Sequence, residues 1–185
     1  MKTFGVVLIA LGALAGVSML LLYSGLYNMG ADAHHRPWTS HLIGILRDRS
    51  IAMHSRDIEL PALGDSVQVL KGAGQYAAMC VGCHLAPGEK GSELRPGLYP
   101  MPPNLSQVHV DPKMAFWVIK HGLKMSAMPA WGSTHDDATI WGIVAFVQKL
   151  PALDASQYRA IVAKAPPDEE MHMPMNHPSH DDKGK

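Results

Sequence analysis

The stretch that decides the fold is residues 80–84, which read Cys80-Val81-Gly82-Cys83-His84. The two cysteines are the only ones in a chain of 185 residues. They lie too close together to form a disulfide framework between distant segments. A structural zinc site needs four ligands, usually from a second cysteine or histidine pair, and the chain has no further cysteine for such a pair. A disulfide framework is therefore excluded, and a structural zinc site is disfavoured.

Two thiols three positions apart, followed directly by an imidazole, are typical of covalent haem attachment. Each sulfur adds to one vinyl group at the haem edge, and the next residue can then place its imidazole under the iron. We therefore predict one covalent haem c, held by Cys80 and Cys83, with His84 as the proximal axial ligand.

The sixth iron ligand decides what such a haem can do. A thioether opposite the histidine closes the iron to small molecules and raises its potential, as in electron-carrier cytochromes. The candidates are Met101, Met125 and Met128, all in loop-like stretches downstream. Met101 lies in a proline cluster, and Met125 could serve only as packing around the haem. We favour Met128, because the Pro129-Ala130-Trp131-Gly132 segment after it can hold a loop extended across the haem face.

Helical patterns account for most of the chain after residue 38, and no segment alternates with the period of a strand. Residues 85–109 are rich in glycine and proline and are predicted to form a loop. Capping residues and apolar periodicity predict four helices: Thr39 or Ser40 to about Arg56, Asp65 to the cysteines, Asp111 to about His121, and a final helix from Thr139 to Leu150.

The first of these helices is amphipathic. Trp38, Leu42, Ile45 and Leu46 fall on one face, and residues 47–49 lie opposite. Such a helix could lie on a lipid interface or pack against the next domain. We favour packing, because it is the more common outcome.

Residues 4–23 carry no charge and are long enough, at roughly 30 Å of helix, to cross a bilayer core. The alternative is a cleavable secretory signal, because residues 31–33 have the Ala-x-Ala form of a cleavage site. The apolar run is longer than a usual signal core and ends well before that site, which favours an uncleaved anchor. In either case the rest of the chain is exported.

Residues 66–150 resemble a class I cytochrome c domain. The matching motifs are Gly72-x-x-x-Tyr76-x-x-x-Cys80-x-x-Cys83-His84, Pro102-Pro103-Asn104-Leu105, Gly122, Met128-Pro129-x-Trp131 and Trp141. The resemblance implies that the first and last helices cross near Gly72, Tyr76 and the Trp141–Phe146 face. It also implies that Pro87 offers its carbonyl to the proximal imidazole and that Trp131 lines the haem pocket.

The full layout is similar to membrane-bound monohaem cytochromes of bacteria. This implies an all-α fold of three to five helices around one covalent haem, an N-terminal transmembrane helix and a disordered C-terminal tail. The haem domain is expected on the periplasmic side of the cytoplasmic (inner) membrane. The predicted segments are a transmembrane anchor (1–27), a linker with an amphipathic helix (28–64), a cytochrome c domain (65–165) and a flexible tail (166–185).

The tail is rich in histidine and methionine, a mixture that suits copper in either oxidation state. The candidate copper ligands are Met171, His172, Met173, Met175, His177 and His180. The alternative is an ordinary disordered terminus that happens to contain these residues.

The formal net charge is zero, which gives no support to nucleic-acid binding. The leading hypothesis is an electron carrier rather than an enzyme, with membrane lipid and a redox protein as partners. It would act as a tethered shuttle or as the cytochrome subunit of a dehydrogenase or oxidase complex. Lys113, Lys120 and Lys124 could steer an acidic partner. Two alternatives are haem-assisted copper handling through the tail, and a haem sensor or enzyme with an open iron position.

Overall fold

A computed structural model describes residues 2–166 of the chain. It divides the chain into an N-terminal unit that ends at Arg36 and a second unit that begins at Pro37. The described residues contain helices, turns and loops and no β-strand, so the all-α prediction is confirmed for this part of the chain.

The N-terminal unit contains helix α1, Lys2–Tyr23. The segment Thr3–Tyr23 has a mean hydropathy of 2.5 and is long enough to cross a membrane, although a signal sequence has the same properties. Its large apolar side chains are exposed within this unit. The predicted apolar helix is therefore present.

Six further helices lie between residues 37 and 166, the part of the second unit that the structure describes. These are α2 (Pro37–Ser55), α3 (Ser66–Gln75), α4 (Val81–His84), α5 (Pro112–His121), α6 (Asp137–Lys149) and α7 (Ala155–Val162). A π-helical turn, Tyr76–Cys80, joins α3 to α4. Short 3-10 turns lie at Arg95–Gly97, Trp131–Ser133 and Leu150–Ala152.

Two of the predicted capping residues begin their helices as expected, whereas Thr39 and Ser40 lie inside α2. The Asp65 carboxylate accepts the Gln68 N–H at the start of α3, and the Asp111 carboxylate accepts two N–H groups at the start of α5. Helix α2 begins two residues before its predicted start, because Pro37 has the backbone angle that suits a first helical turn.

The prediction that the helix ending near Leu150 is the last one was wrong. Pro151 ends α6, but α7 follows, and Asp154 and Gln157 form a capping box at its start. Tyr158 of α7 is buried against Tyr76 and Phe146. The spacing of Asp154 and Gln157 was a readable signal for this helix.

Helices α3 and α6 cross at the centre of the second unit. A Cβ on Gly72 would overlap the Gly142 carbonyl, so the crossing requires a residue without a side chain. The predicted Tyr76–Phe146 pair packs beside it, with ring centroids 5.5 Å apart. Trp141 does not join this pair. It stacks on Phe116 of α5, with a centroid distance of 4.1 Å.

Candidate cofactor site

The two cysteines and the histidine of the motif line one cavity of about 660 Å³. Cys80 ends the π-helical turn, while Cys83 and His84 belong to α4. Both cysteines are free thiols. Burial raises the pKa of the Cys80 thiol to about 12, and the neighbouring Cys83 adds to this shift. The π-helical turn and α4 therefore hold two sulfurs and one imidazole at the same wall.

A hydrogen bond fixes the tautomer of His84. Its Nδ1 lies 2.9 Å from the carbonyl oxygen of Pro103. A carbonyl only accepts, so Nδ1 must carry the proton and donate it. The lone pair of the ring is then on Nε2, which is the atom that can bind a metal. The backbone supports the same arrangement, because the Leu105 N–H donates to the His84 carbonyl at 3.1 Å.

The prediction that Pro87 supplies this carbonyl was wrong. Leu85 has a positive φ of 65° and turns the chain away directly after the histidine. The Tyr76 hydroxyl donates to the Leu85 carbonyl at 2.7 Å, and the Ala86 N–H donates to the Glu89 carboxylate at 2.8 Å. These two hydrogen bonds hold the segment directly after His84 in place. Pro87 is not among the described residues that line the cavity.

The surroundings of His84 favour its neutral form. Burial lowers the pKa of His84, the hydrogen bond to Pro103 opposes this shift, and Arg95 lowers the pKa further. The Arg95 guanidinium also donates to the Cys83 carbonyl at 2.6 Å. A neutral imidazole is the protonation state that a metal ligand requires.

Met128 lies in the lining of the same cavity and packs against the hydrophobic core. Its loop is held by its own hydrogen bonds. The Leu123 N–H donates to the Met128 carbonyl at 3.1 Å, and the Met128 N–H donates to the Ser126 hydroxyl at 3.2 Å. Gly122 has a φ of +64°, and a Cβ there would lie within 2.8 Å of the Met128 carbonyl. The loop therefore requires glycine at this position.

The two alternative methionines are placed less favourably. Met125 is 76 % exposed and does not line the cavity as the structure describes it. Met101 lines the cavity but is 60 % exposed. Trp131 lines the cavity as expected and packs against the core beside Met128.

A polar part of the lining was not foreseen. Helix α2 contributes Arg47, Asp48 and Ile51, and the segment before α5 contributes His109 and Asp111. The α2 residues are remote in sequence from the motif, and no signal in the sequence places them at the cavity.

Two of the three lysines expected to steer a partner have contacts within the chain. Lys120 lies 2.6 Å from the Asp137 carboxylate, and Lys113 donates to the Arg56 carbonyl at 3.3 Å. The role of the lysines in docking stays a prediction.

The copper prediction falls on residues outside the described part of the chain, because Met171, His172, Met173, Met175, His177 and His180 all follow residue 166. Within residues 2–166 no group of three or more histidine, cysteine or acidic side chains is placed to hold a metal ion.

The residues around the cavity fit a covalent haem. Its volume lies in the range of about 300–1,000 Å³ that is usual for cofactor pockets. Its lining brings together two thiols, an imidazole with its Nε2 free of a proton, and a thioether, with apolar side chains such as Leu105, Ile143 and Val147 around them. This donor set matches the chemistry of haem c with histidine and methionine as axial ligands.

Comparison with known families gives one match. Residues 67–147 match the family model described as "Cytochrome C oxidase, cbb3-type, subunit III". The match begins within α3 and ends within α6, so α1, α2 and α7 lie outside it. No curated protein and no solved structure matches the chain significantly.

Proposed function

We propose that this chain is a membrane-anchored, single-haem electron carrier, because residues 67–147 match the model of the cbb3-type oxidase subunit III family. The observation that carries this proposal is the shared cavity of Cys80, Cys83, His84 and Met128. These four side chains supply both attachment points and both axial ligands for one haem.

Each of these residues has a distinct role. Cys80 and Cys83 would hold the haem covalently, His84 would offer Nε2 to the iron, and Met128 would offer its sulfur as a further iron ligand. The Pro103 carbonyl orients the imidazole, which fixes the tautomer and raises the basicity of the ligand. Trp131 forms part of the wall that keeps water from the thioether.

When bound, the haem iron supplies one-electron oxidation and reduction. A protein that fills both axial positions leaves no place for oxygen or a substrate, so the proposed role is electron transfer rather than catalysis. The apolar lining lowers the local dielectric and favours the less charged iron–ligand unit, which adds to the effect of the thioether on the potential.

We propose an oxidase complex in the membrane as the partner, because the matching family is described as an oxidase subunit. The alternatives are a tethered shuttle and the cytochrome subunit of a dehydrogenase complex. The length and composition of α1 support an anchor in the inner membrane. Covalent haem attachment supports a periplasmic position for the haem domain. Copper binding by the tail stays a prediction from the sequence.

Optical spectra of the oxidised and reduced protein, with and without carbon monoxide, test this proposal. A closed iron should give a reduced spectrum that carbon monoxide leaves unchanged at neutral pH. Intact-mass measurement should show one covalently bound haem. Rapid carbon monoxide binding by the unmodified protein would instead favour a haem sensor or enzyme.

A further inference from the structure

Helix α2 leaves its most apolar face exposed. Trp38 is 64 % exposed and Leu46 72 % exposed, although both belong to the face that a soluble helix would bury. We call this face the apolar stripe. It consists of Trp38, Leu42, Ile45, Leu46 and Met53, all of which are exposed.

The opposite face of α2 packs against the haem domain. Ser55 is 2 % exposed, Ile51 lines the cavity, and the Ser40 hydroxyl lies 2.8 Å from the Tyr99 hydroxyl. At about 100° per residue, Leu42 and Ile51 lie roughly 180° apart around the helix axis. The helix is therefore docked through Ile51 and the small side chains of Ser40 and Ser55, and not through the face that carries most of its large apolar residues.

This arrangement means that the stripe is not needed to hold α2 on the domain. Within residues 2–166 none of its five side chains is buried. A contiguous exposed apolar face of this kind indicates a surface that contacts a protein or a membrane.

The position of α2 in the chain favours a membrane. Residues 24–36 join α1 to α2, and thirteen residues span at most about 45 Å when fully extended. If α1 crosses the bilayer, the start of α2 therefore lies no more than about 45 Å from its surface. Tryptophan favours the interface between lipid and water. Arg49 does not lie opposite the stripe as predicted, because at about 100° per residue it falls within roughly 20° of Trp38 around the helix axis. It is exposed there, and it has a long apolar stem and a charge suited to lipid headgroups.

We propose that α2 lies on the bilayer surface with the apolar stripe inserted at the headgroup boundary. This inference rests on the membrane anchor of the proposed function. It means that the haem domain is held against the membrane rather than swinging freely on a linker. Its redox partner must then present its own cofactor near the membrane surface.

Spin labelling of the full-length haem protein tests this. The two native cysteines are consumed by the haem, so Leu46→Cys carries a unique thiol. Lys71→Cys, at an exposed site on α3, is the matched control, and Leu42→Cys is a second position on the stripe. The proteins are placed in nanodiscs of phosphatidylcholine and phosphatidylglycerol, with one protein per disc. Collision of each label with oxygen and with a water-soluble nickel chelate is measured.

We expect the labels at 42 and 46 to favour oxygen over nickel by at least threefold relative to the label at 71. Equal, water-like accessibility at all three sites overturns the proposal. Protection of 42 and 46 from both reagents also overturns it, because this indicates contact with protein. Flotation of the same samples separates the two hypotheses. If the protein floats with the lipid but its labels have water-like accessibility, only the proposed role of α2 is wrong. If the protein separates from the lipid, the proposed membrane anchor is wrong as well.

Discussion

The two proposed axial ligands are held by different parts of the backbone. The imidazole of His84 is oriented by a main-chain carbonyl, which no side-chain substitution at Pro103 removes directly. Met128 depends on the shape of a loop that turns at Gly122 and closes on Leu123. A single substitution can therefore displace the Met128 side chain more selectively than the His84 imidazole.

Replacement of Met128 tests its assignment. Met128→Ala should abolish the weak sulfur-to-iron absorption band, lower the midpoint potential and allow the reduced protein to bind carbon monoxide, because the sixth position opens. Spectra and potentiometric titration measure these changes. Met125→Ala is the control and should change none of them, since Met125 is exposed outside the cavity. The opposite pattern would transfer the ligand role to Met125.

Substitution of Gly122 tests whether the loop positions the sulfur. Gly122→Ala places a Cβ 2.7 Å from the Pro129 carbonyl carbon at a positive φ, so the loop must shift. We expect a weakened sulfur-to-iron band and a loss of about 1–3 kcal/mol of unfolding free energy. Gly91→Ala is the control, because nothing lies within 4 Å of its added Cβ. An unchanged band in Gly122→Ala would show that the loop does not control the ligand.

At the scale of residues, the sequence predicts the side chains of the proposed haem site better than the backbone groups that orient them. The Cys-x-x-Cys-His motif predicts a haem site because its side chains stand at fixed spacing. Met128 stays a prediction, favoured among three methionines by the proline and tryptophan that follow it. The carbonyl that binds His84 could not be identified, because every residue has a carbonyl and only the backbone conformation decides which one points at the ring. The positive φ of Leu85 removes Pro87 from that position.

At the scale of elements, the crossing of α3 and α6 depends on close backbone contact. Gly72 meets the backbone of Gly142, while Tyr76 and Phe146 fill the space beside them. Both aromatic side chains are fully buried. The two helices thereby fix the wall of the cavity that carries Cys80 on one side and Ile143 and Val147 on the other.

An alanine at Gly72 should separate these helices. The added Cβ overlaps the Gly142 carbonyl, and we expect a loss of about 3 kcal/mol in the free energy of unfolding, at the upper end for overpacked cores. Guanidinium unfolding of the haem protein, followed by circular dichroism, measures this. Gly44→Ala in α2 is the helical control and should be neutral or slightly stabilising, because its Cβ meets nothing within 4 Å. Equal stability of the two variants would contradict the tight crossing.

The helices with both a cap and an apolar face were predictable from sequence, and α5 follows its prediction from Asp111 to His121. Two features differ from the prediction. The short α7 follows the proline that ends α6, and its capping box of Asp154 and Gln157 is the signal in the sequence that indicates it. The docked face of α2 could not be predicted, because hydrophobic periodicity indicates that a face is apolar but not which surface covers it.

At the scale of the whole molecule, the cavity is lined by residues that lie outside the segment that matches the family model. Residues 67–147 carry the motif, the ligand loop and the central crossing. The cavity extends beyond this range, since Arg47, Asp48 and Ile51 of α2 line it. A haem domain cut at the family boundary would therefore lose part of its wall. The segment before the domain is then part of the cavity wall as well as the connection to α1.

The role of α1 determines whether the molecule stays in the membrane. Its 22 residues form a helix without an acidic side chain in its first turn or a basic one in its last, and Thr3–Tyr23 has the hydropathy of a spanning segment. Transfer of some twenty apolar residues into lipid outweighs any screened charge contact. We expect the haem protein to stay in the membrane fraction through high-salt washing and to retain its N-terminus by intact mass. Replacing Leu11 and Leu14 with arginine should release it, since each charge near the helix centre costs about 2.5–3.5 kcal/mol. A mature chain that begins at His34 would instead identify α1 as a cleaved signal, and the haem domain would then have to reach its partner without a tether.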